Sequence, residues 1–109
     1  MKSIIALISI FLVVGCSTKK TDKELFDEAQ NYLKQDKVPE AVIAFEEIVN
    51  DHSDSELAPE ALSQLAGLYQ NKLIKSISEK ENLEKAIELF KKLYQDYPKS
   101  NFAPSGLFM

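Results

Sequence analysis

The chain has 109 residues, 17 acidic and 13 basic side chains and a formal charge of −4, and all of the basic residues are lysine. This excludes the basic footprint of a nucleic-acid binder and the bidentate arginine clamp for phosphate or carboxylate. One cysteine and one histidine exclude an internal disulfide and a protein-only zinc site of nitrogen and sulfur ligands, and three scattered glycines leave no phosphate-cradling loop.

Met1, Lys2 and Ser3 lead into an apolar run over 4–14, interrupted only by Ser9. The run is too short to span a bilayer and has the layout of a secretory signal. Val13-Val14-Gly15-Cys16 resembles the lipobox of bacterial lipoproteins. That resemblance implies diacylglyceryl transfer to Cys16, removal of residues 1–15 and acylation of the new N-terminus. The covalent lipid would be the only cofactor-like group, and two or more acyl chains give stable membrane attachment. Ser17, where aspartate would signal inner-membrane retention, implies an outer-membrane destination facing the periplasm. Residues 16–22 read as the lipidated end and a flexible tether.

From residue 23 onward apolar residues recur at helical spacing, with no strand alternation. The first predicted helix covers 23–35, with Leu25, Ala29, Tyr32 and Leu33 on one face. The second covers 39–50, opened by Pro39, with a stripe of Val38, Ala41, Val42, Phe45, Ile48 and Val49. The third covers 59–72 with a broad face from Ala58 to Tyr69. The fourth follows a capping box, Ser78 with Glu81, and carries Leu83, Ala86, Ile87, Phe90, Leu93, Tyr94 and Tyr97 up to Pro98. A fifth is expected to open near Pro104, and Phe102, Leu107, Phe108 and Met109 read as the start of a third hairpin. The carboxylates Glu46, Glu47, Glu56 and Glu60 read as solvated surface, and His52 as part of a solvated polar loop. No nucleophile–base spacing stands out, so no enzyme activity and no small-molecule substrate are expected.

A shift of 45 residues aligns 38–63 with 83–108 and gives seven identities. They are Ala41/Ala86, Phe45/Phe90, Asp51/Asp96, Ser55/Ser100, Ala58/Ala103, Pro59/Pro104 and Leu62/Leu107. A period of this size means stacked helical hairpins. The chain here resembles the tetratricopeptide repeat, whose unit is about 34 residues. Leu25, Ala29, Tyr32, Ala41, Phe45 and Ile48 fall on its signature positions without a gap. Leu62, Ala66, Tyr69, Ala86, Phe90, Leu93 and Pro98 fall on the next set, with an insertion of eight residues around 74–81. The expected architecture is all-α: a helical-hairpin array with repeat 1 over about 22–55, repeat 2 over about 59–98 and a partial third from about 104.

The lipobox, the Ala-x-x-x-Phe of the second and fourth helices and the Tyr97-Pro98-Lys99-Ser100 to Ala103-Pro104 junction together resemble the BamD-like outer-membrane lipoproteins of the β-barrel assembly machinery. That resemblance implies a membrane-anchored scaffold that binds protein partners, among them a β-barrel assembly component. Its groove-facing positions correspond to Lys23, Phe26, Gln30, Leu33 and Lys34, then Glu60, Ser63, Gly67, Gln70 and Asn71. Phe26, off the main stripe, is the leading single contact candidate. The rival readings are an envelope spacer or a non-catalytic subunit, acting at peptidoglycan or in the Tol–Pal system.

Overall fold

The computed structural model describes residues 19–103. The signal segment, Cys16, most of the tether and the third-hairpin residues from 104 lie outside the described residues. Four helices follow one another: α1 (Asp22–Lys34), α2 (Val38–Asp51), α3 (Ala58–Gln70) and α4 (Glu79–Asp96). Among the described residues there is no strand, and the fold is the all-α hairpin array. α1 packs with α2, α3 with α4, and α2 with α3, so two hairpins stack into one layer each.

The helix starts are set by side chains. Thr21 accepts the N–H of Glu24 while the Glu24 carboxylate accepts the N–H of Thr21, a reciprocal cap at α1. Ser78 and Glu81 make the same box at α4. α2 and α3 carry proline in the first turn, where no amide donor is needed.

The first helix of each hairpin ends alike. Asp36 N–H bonds Leu33 O and Lys37 N–H bonds Tyr32 O; Lys72 N–H bonds Tyr69 O and Leu73 N–H bonds Leu68 O. These are paired Schellman closures, with Asp36 at φ 61 and Lys72 at φ 59 in the left-handed region. α3 therefore stops at Gln70, two residues before its expected end.

The second helix of each hairpin ends in a serine junction, which explains the identities in the 45-residue repeat. Ser55 Oγ accepts the N–H of Leu57, and Ser100 Oγ that of Phe102. Ser55 O accepts from Ala58, and Ser100 O from Ala103. The hydroxyl is needed to bond the chain two residues on, and the alanine enters a space with no room for more: Ala58 is 0% and Ala103 2% exposed.

The core joins both hairpins: Leu25, Ala29, Ala41, Phe45, Ile48, Ala61, Leu62, Leu65, Ala66, Ala86 and Leu93 are all buried. The alanines Ala29, Ala41, Ala66 and Ala86, each fully buried, let the helix axes approach. α4 is turned relative to the expected stripe. Leu83, Ile87 and Tyr94 are exposed, whereas Asn82 and Leu89 join Ala86, Phe90 and Leu93 inside. Both arcs of α4 are apolar enough to face a core, and the position of α3 selects the one that includes Asn82.

His52 also departs from expectation. Rather than a solvated loop residue it is the C-cap of α2, half-buried, with Nε2 buried and without a hydrogen-bond partner. The same junction holds Asp22, whose carboxylate accepts the Ser55 hydroxyl and the Lys23 N–H. These bonds, the Ser55 one first, lower the Asp22 pKa below the usual aspartate value. An acid depressed in the fold adds stability that is present above its unfolded value, about 3.9, and is lost as pH falls below it. Asp22→Asn is expected to flatten the acid limb of the melting-temperature profile below about pH 4. A profile identical to the parent's would remove Asp22 from acid stability.

Candidate functional site

The candidate groove is built on the first helix of each hairpin, α1 and α3. The two are tied directly: Gln30 Nε2 donates to Gln64 Oε1 at 2.8 Å. Asp22 and Ser55 make a second tie, from the start of α1 to the loop before α3. Parallel to these, Tyr97 Oη donates to Ser53 O at 2.9 Å, joining the ends of the two hairpins. Cross-repeat bonds of this kind fix the angle between hairpins and thus the shape of the surface that they present.

On α1, Lys23 and Lys34 are exposed, with Lys23 Nζ 3.2 Å from Asp27. Phe26 is half-buried rather than standing free. Its ring meets that of Phe45 edge-on, with centroids 6.1 Å apart and planes at 71°, a favourable aromatic geometry. Leu33 is likewise half-buried against the core. Gln30 is half-buried and holds Gln64, so part of its polar capacity is already used. On α3, Glu60, Ser63 and Gly67 are half-exposed and Gln70 is exposed. A Cβ added at Gly67 would meet no atom within 4 Å, so the groove is open over the middle of α3. Asn71 is exposed and caps α3, its N–H bonding Gly67 O at 2.9 Å. The surface therefore offers mixed charge at its edges and two partly covered apolar side chains, Phe26 and Leu33, on α1.

Apart from this surface, a concavity of about 570 Å³ lies behind α2. Val38, Val42, Ile43, Tyr69, Leu73 and Ile74 supply its apolar wall. One side is the inserted connection over 71–78. That connection is held by Asn82, whose Nδ2 donates to Ile74 O and Ser78 O, each at 3.0 Å. Burial pushes the Tyr69 hydroxyl pKa up, and Glu46 adds to it.

Sequence reasoning placed no role on Gln64, Asn82 or Asp22. For Asn82 a signal existed: residues 82, 86, 89 and 93 keep the spacing of a buried arc. Gln64 and Asp22 carry no such mark, because their partners lie 34 and 33 residues away in sequence.

Two stacked antiparallel hairpins with side-chain ties between their first helices define a helical-repeat scaffold that binds other proteins. The family model described as the tetratricopeptide repeat matches residues 25–55 and 60–100, well over half of the chain. The chain belongs to the tetratricopeptide-repeat family. No curated protein and no solved structure matches it.

Proposed function

We propose that this chain is a lipid-anchored scaffold of the bacterial envelope, held in the outer membrane through Cys16 and presenting the α1–α3 groove to a protein of the β-barrel assembly machinery. The observation that carries the scaffold reading is the open surface over Gly67, flanked on α3 by half-exposed Glu60 and Ser63 and exposed Gln70 and Asn71. Envelope placement is supported by the lipobox-like Val13-Val14-Gly15-Cys16 alone. Among the described residues no helix is long and apolar enough to cross a membrane. In this reading the acyl chains on Cys16 supply the attachment. Binding, rather than chemistry, is the activity: a curved stack of hairpins reads an extended or helical segment along its concave side.

Cys16→Ser in the full-length chain, expressed in a Gram-negative host, tests the anchor. The parent is expected to incorporate labelled palmitate and sediment with outer membrane. The variant is expected to lose the label and leave the membrane fraction. Label in the variant equal to the parent's would overturn the anchor. A photo-crosslinking residue at Ser63, inside the groove, is expected to capture a barrel-assembly component. Capture of glycan-bound material instead would move the reading to an envelope spacer.

A further inference from the structure

The 45-residue repeat lets two helices of one chain be compared position by position, and it isolates one face. Val42 and Val49 on α2 are 9% and 8% exposed, because α3 packs on that helix. Their counterparts on α4, Ile87 and Tyr94, are 44% and 48% exposed. Leu83, the counterpart of half-buried Val38, is 40% exposed. Leu83, Ile87 and Tyr94 fall within an arc of about 40° on an α-helix, so the open residues form one stripe about three turns long. Isolated exposed apolar residues need no explanation, but a continuous stripe does.

We propose that this stripe is a self-association surface, through which two copies of the chain pair by antiparallel packing of their α4 helices about a two-fold axis. The proposal stands apart from the groove on α1 and α3. Two features choose a second copy packed in this way. First, α1 offers no receptor for head-to-tail stacking: its exposed residues are Lys23, Glu24, Asp27, Asn31 and Lys34, all charged or amide. An α4 stripe laid on that face would strip water from these charged and amide groups and offer them no new partner. An isologous contact, in which the same patch serves both copies, avoids this.

Second, α4 is self-complementary in the antiparallel register. A two-fold axis between residues 88 and 89 sets Leu83 against the partner's Tyr94 and brings the two copies of Ile87 close to the axis. Glu84 and Lys91 are both exposed and lie seven residues apart on one flank of the stripe. A two-fold axis crossing the helices brings like flanks together in opposite directions. Glu84 then lies beside the partner's Lys91, and Lys91 beside the partner's Glu84. Within one chain Glu84 has only a loose pairing, 3.9 Å from Lys80 with both side chains well exposed, so it is free to turn to a partner.

The test places a photo-crosslinking residue at position 87 in the full-length chain in its membrane, with position 43 on α2 as the control, since Ile43 is also exposed. Irradiation is expected to give a product of twice the chain's mass from position 87 and none from position 43. Glu84→Lys sets like charges opposite each other twice. It is expected to lower the yield about fivefold, the factor that accompanies about 1 kcal/mol. Adding Lys91→Glu restores opposite signs and is expected to restore the yield. Absence of the doubled product at position 87 (the result expected if the segment from residue 104 onward covers α4 as α3 covers α2), adducts of other masses only, or a doubled product indifferent to both charge changes would each overturn the proposal.

Discussion

Replacing Phe45 with alanine is expected to remove about 3–5 kcal/mol of stability, the usual cost of deleting a fully buried phenylalanine. Phe45 is 0% exposed, sits on α2 between the two hairpins, and receives the edge of the Phe26 ring. Its loss opens a cavity at the junction on which both repeats depend. A domain of this size holds roughly 5–15 kcal/mol in all, so the variant is expected to be largely unfolded near physiological temperature. The repeat supplies an internal comparison. Phe90 occupies the same place in the second unit and is 5% exposed, but its neighbours Ile87 and Tyr94 face outward. Less packing surrounds it, and Phe90→Ala is expected to cost clearly less than Phe45→Ala. Urea unfolding followed by helical circular dichroism measures both. A Phe45→Ala cost under about 1 kcal/mol, or equal costs at the two sites, would mean that the α2–α3 junction does not hold the repeats together.

The reason for the difference is also the reason that some features were legible in the sequence and others were not. Local rules reached far. Helical spacing located four helices, Ser78 with Glu81 marked the start of α4, and the recurrence of serine and alanine before α3 and after α4 matched a hydrogen-bond pattern that occurs twice. Those signals depend on residues within a few positions of one another. The orientation of α4 depends on α3, and no local rule chooses between the Leu83–Ile87–Tyr94 arc and the Asn82–Ala86–Leu89 arc. Phe26 looked like a free aromatic because its partner Phe45 is on another helix. The end of α3 is hidden from the sequence for a different reason. A left-handed residue at a helix terminus is usually glycine, and here Asp36 and Lys72 fill that place. Aspartate tolerates the conformation moderately well and lysine poorly, so neither residue announces it. The Thr21–Glu24 capping box, by contrast, was present as a plain pattern in the sequence and needed only to be read. For the groove, the repeat pattern located α1 and α3, while the Gln30–Gln64 tie that fixes their relation required the fold.

Asn82→Asp is expected to be the most damaging isosteric change in the chain. Asn82 is 1% exposed, and its Nδ2 faces the carbonyls of Ile74, Ile77 and Ser78 at 3.0, 3.5 and 3.0 Å. Its Oδ1 is buried without a partner, so the residue is retained for what it donates. The aspartate side chain has the same shape but no donor when ionised. It would set a buried negative charge against three carbonyl oxygens, close to Glu79 and Glu81 in the first turn of α4. An uncompensated buried charge costs about 3–5 kcal/mol. Asn82→Ala takes the side-chain donor from Ile74 O and Ile77 O, while Ser78 O keeps the N–H of residue 82; no charge is added, and the change is expected to cost about 1–3 kcal/mol. The two variants also differ in pH dependence. Burial raises the pKa of the introduced carboxyl above its unfolded value of about 3.9, so the penalty is present at neutral pH and shrinks as pH falls through the raised value. Protonation then restores one donor to the Ile74 or Ser78 carbonyl. Urea midpoints of Asn82→Asp and Asn82→Ala are expected to differ at neutral pH and to converge near pH 5, while hydrogen exchange across residues 71–78 reports loosening of the inserted connection in both. If the aspartate variant matched the alanine variant at neutral pH with no acid recovery, the three carbonyls would not depend on the Asn82 amide. The wall of the cavity behind α2 would then be held by packing of Leu73 and Ile74 alone.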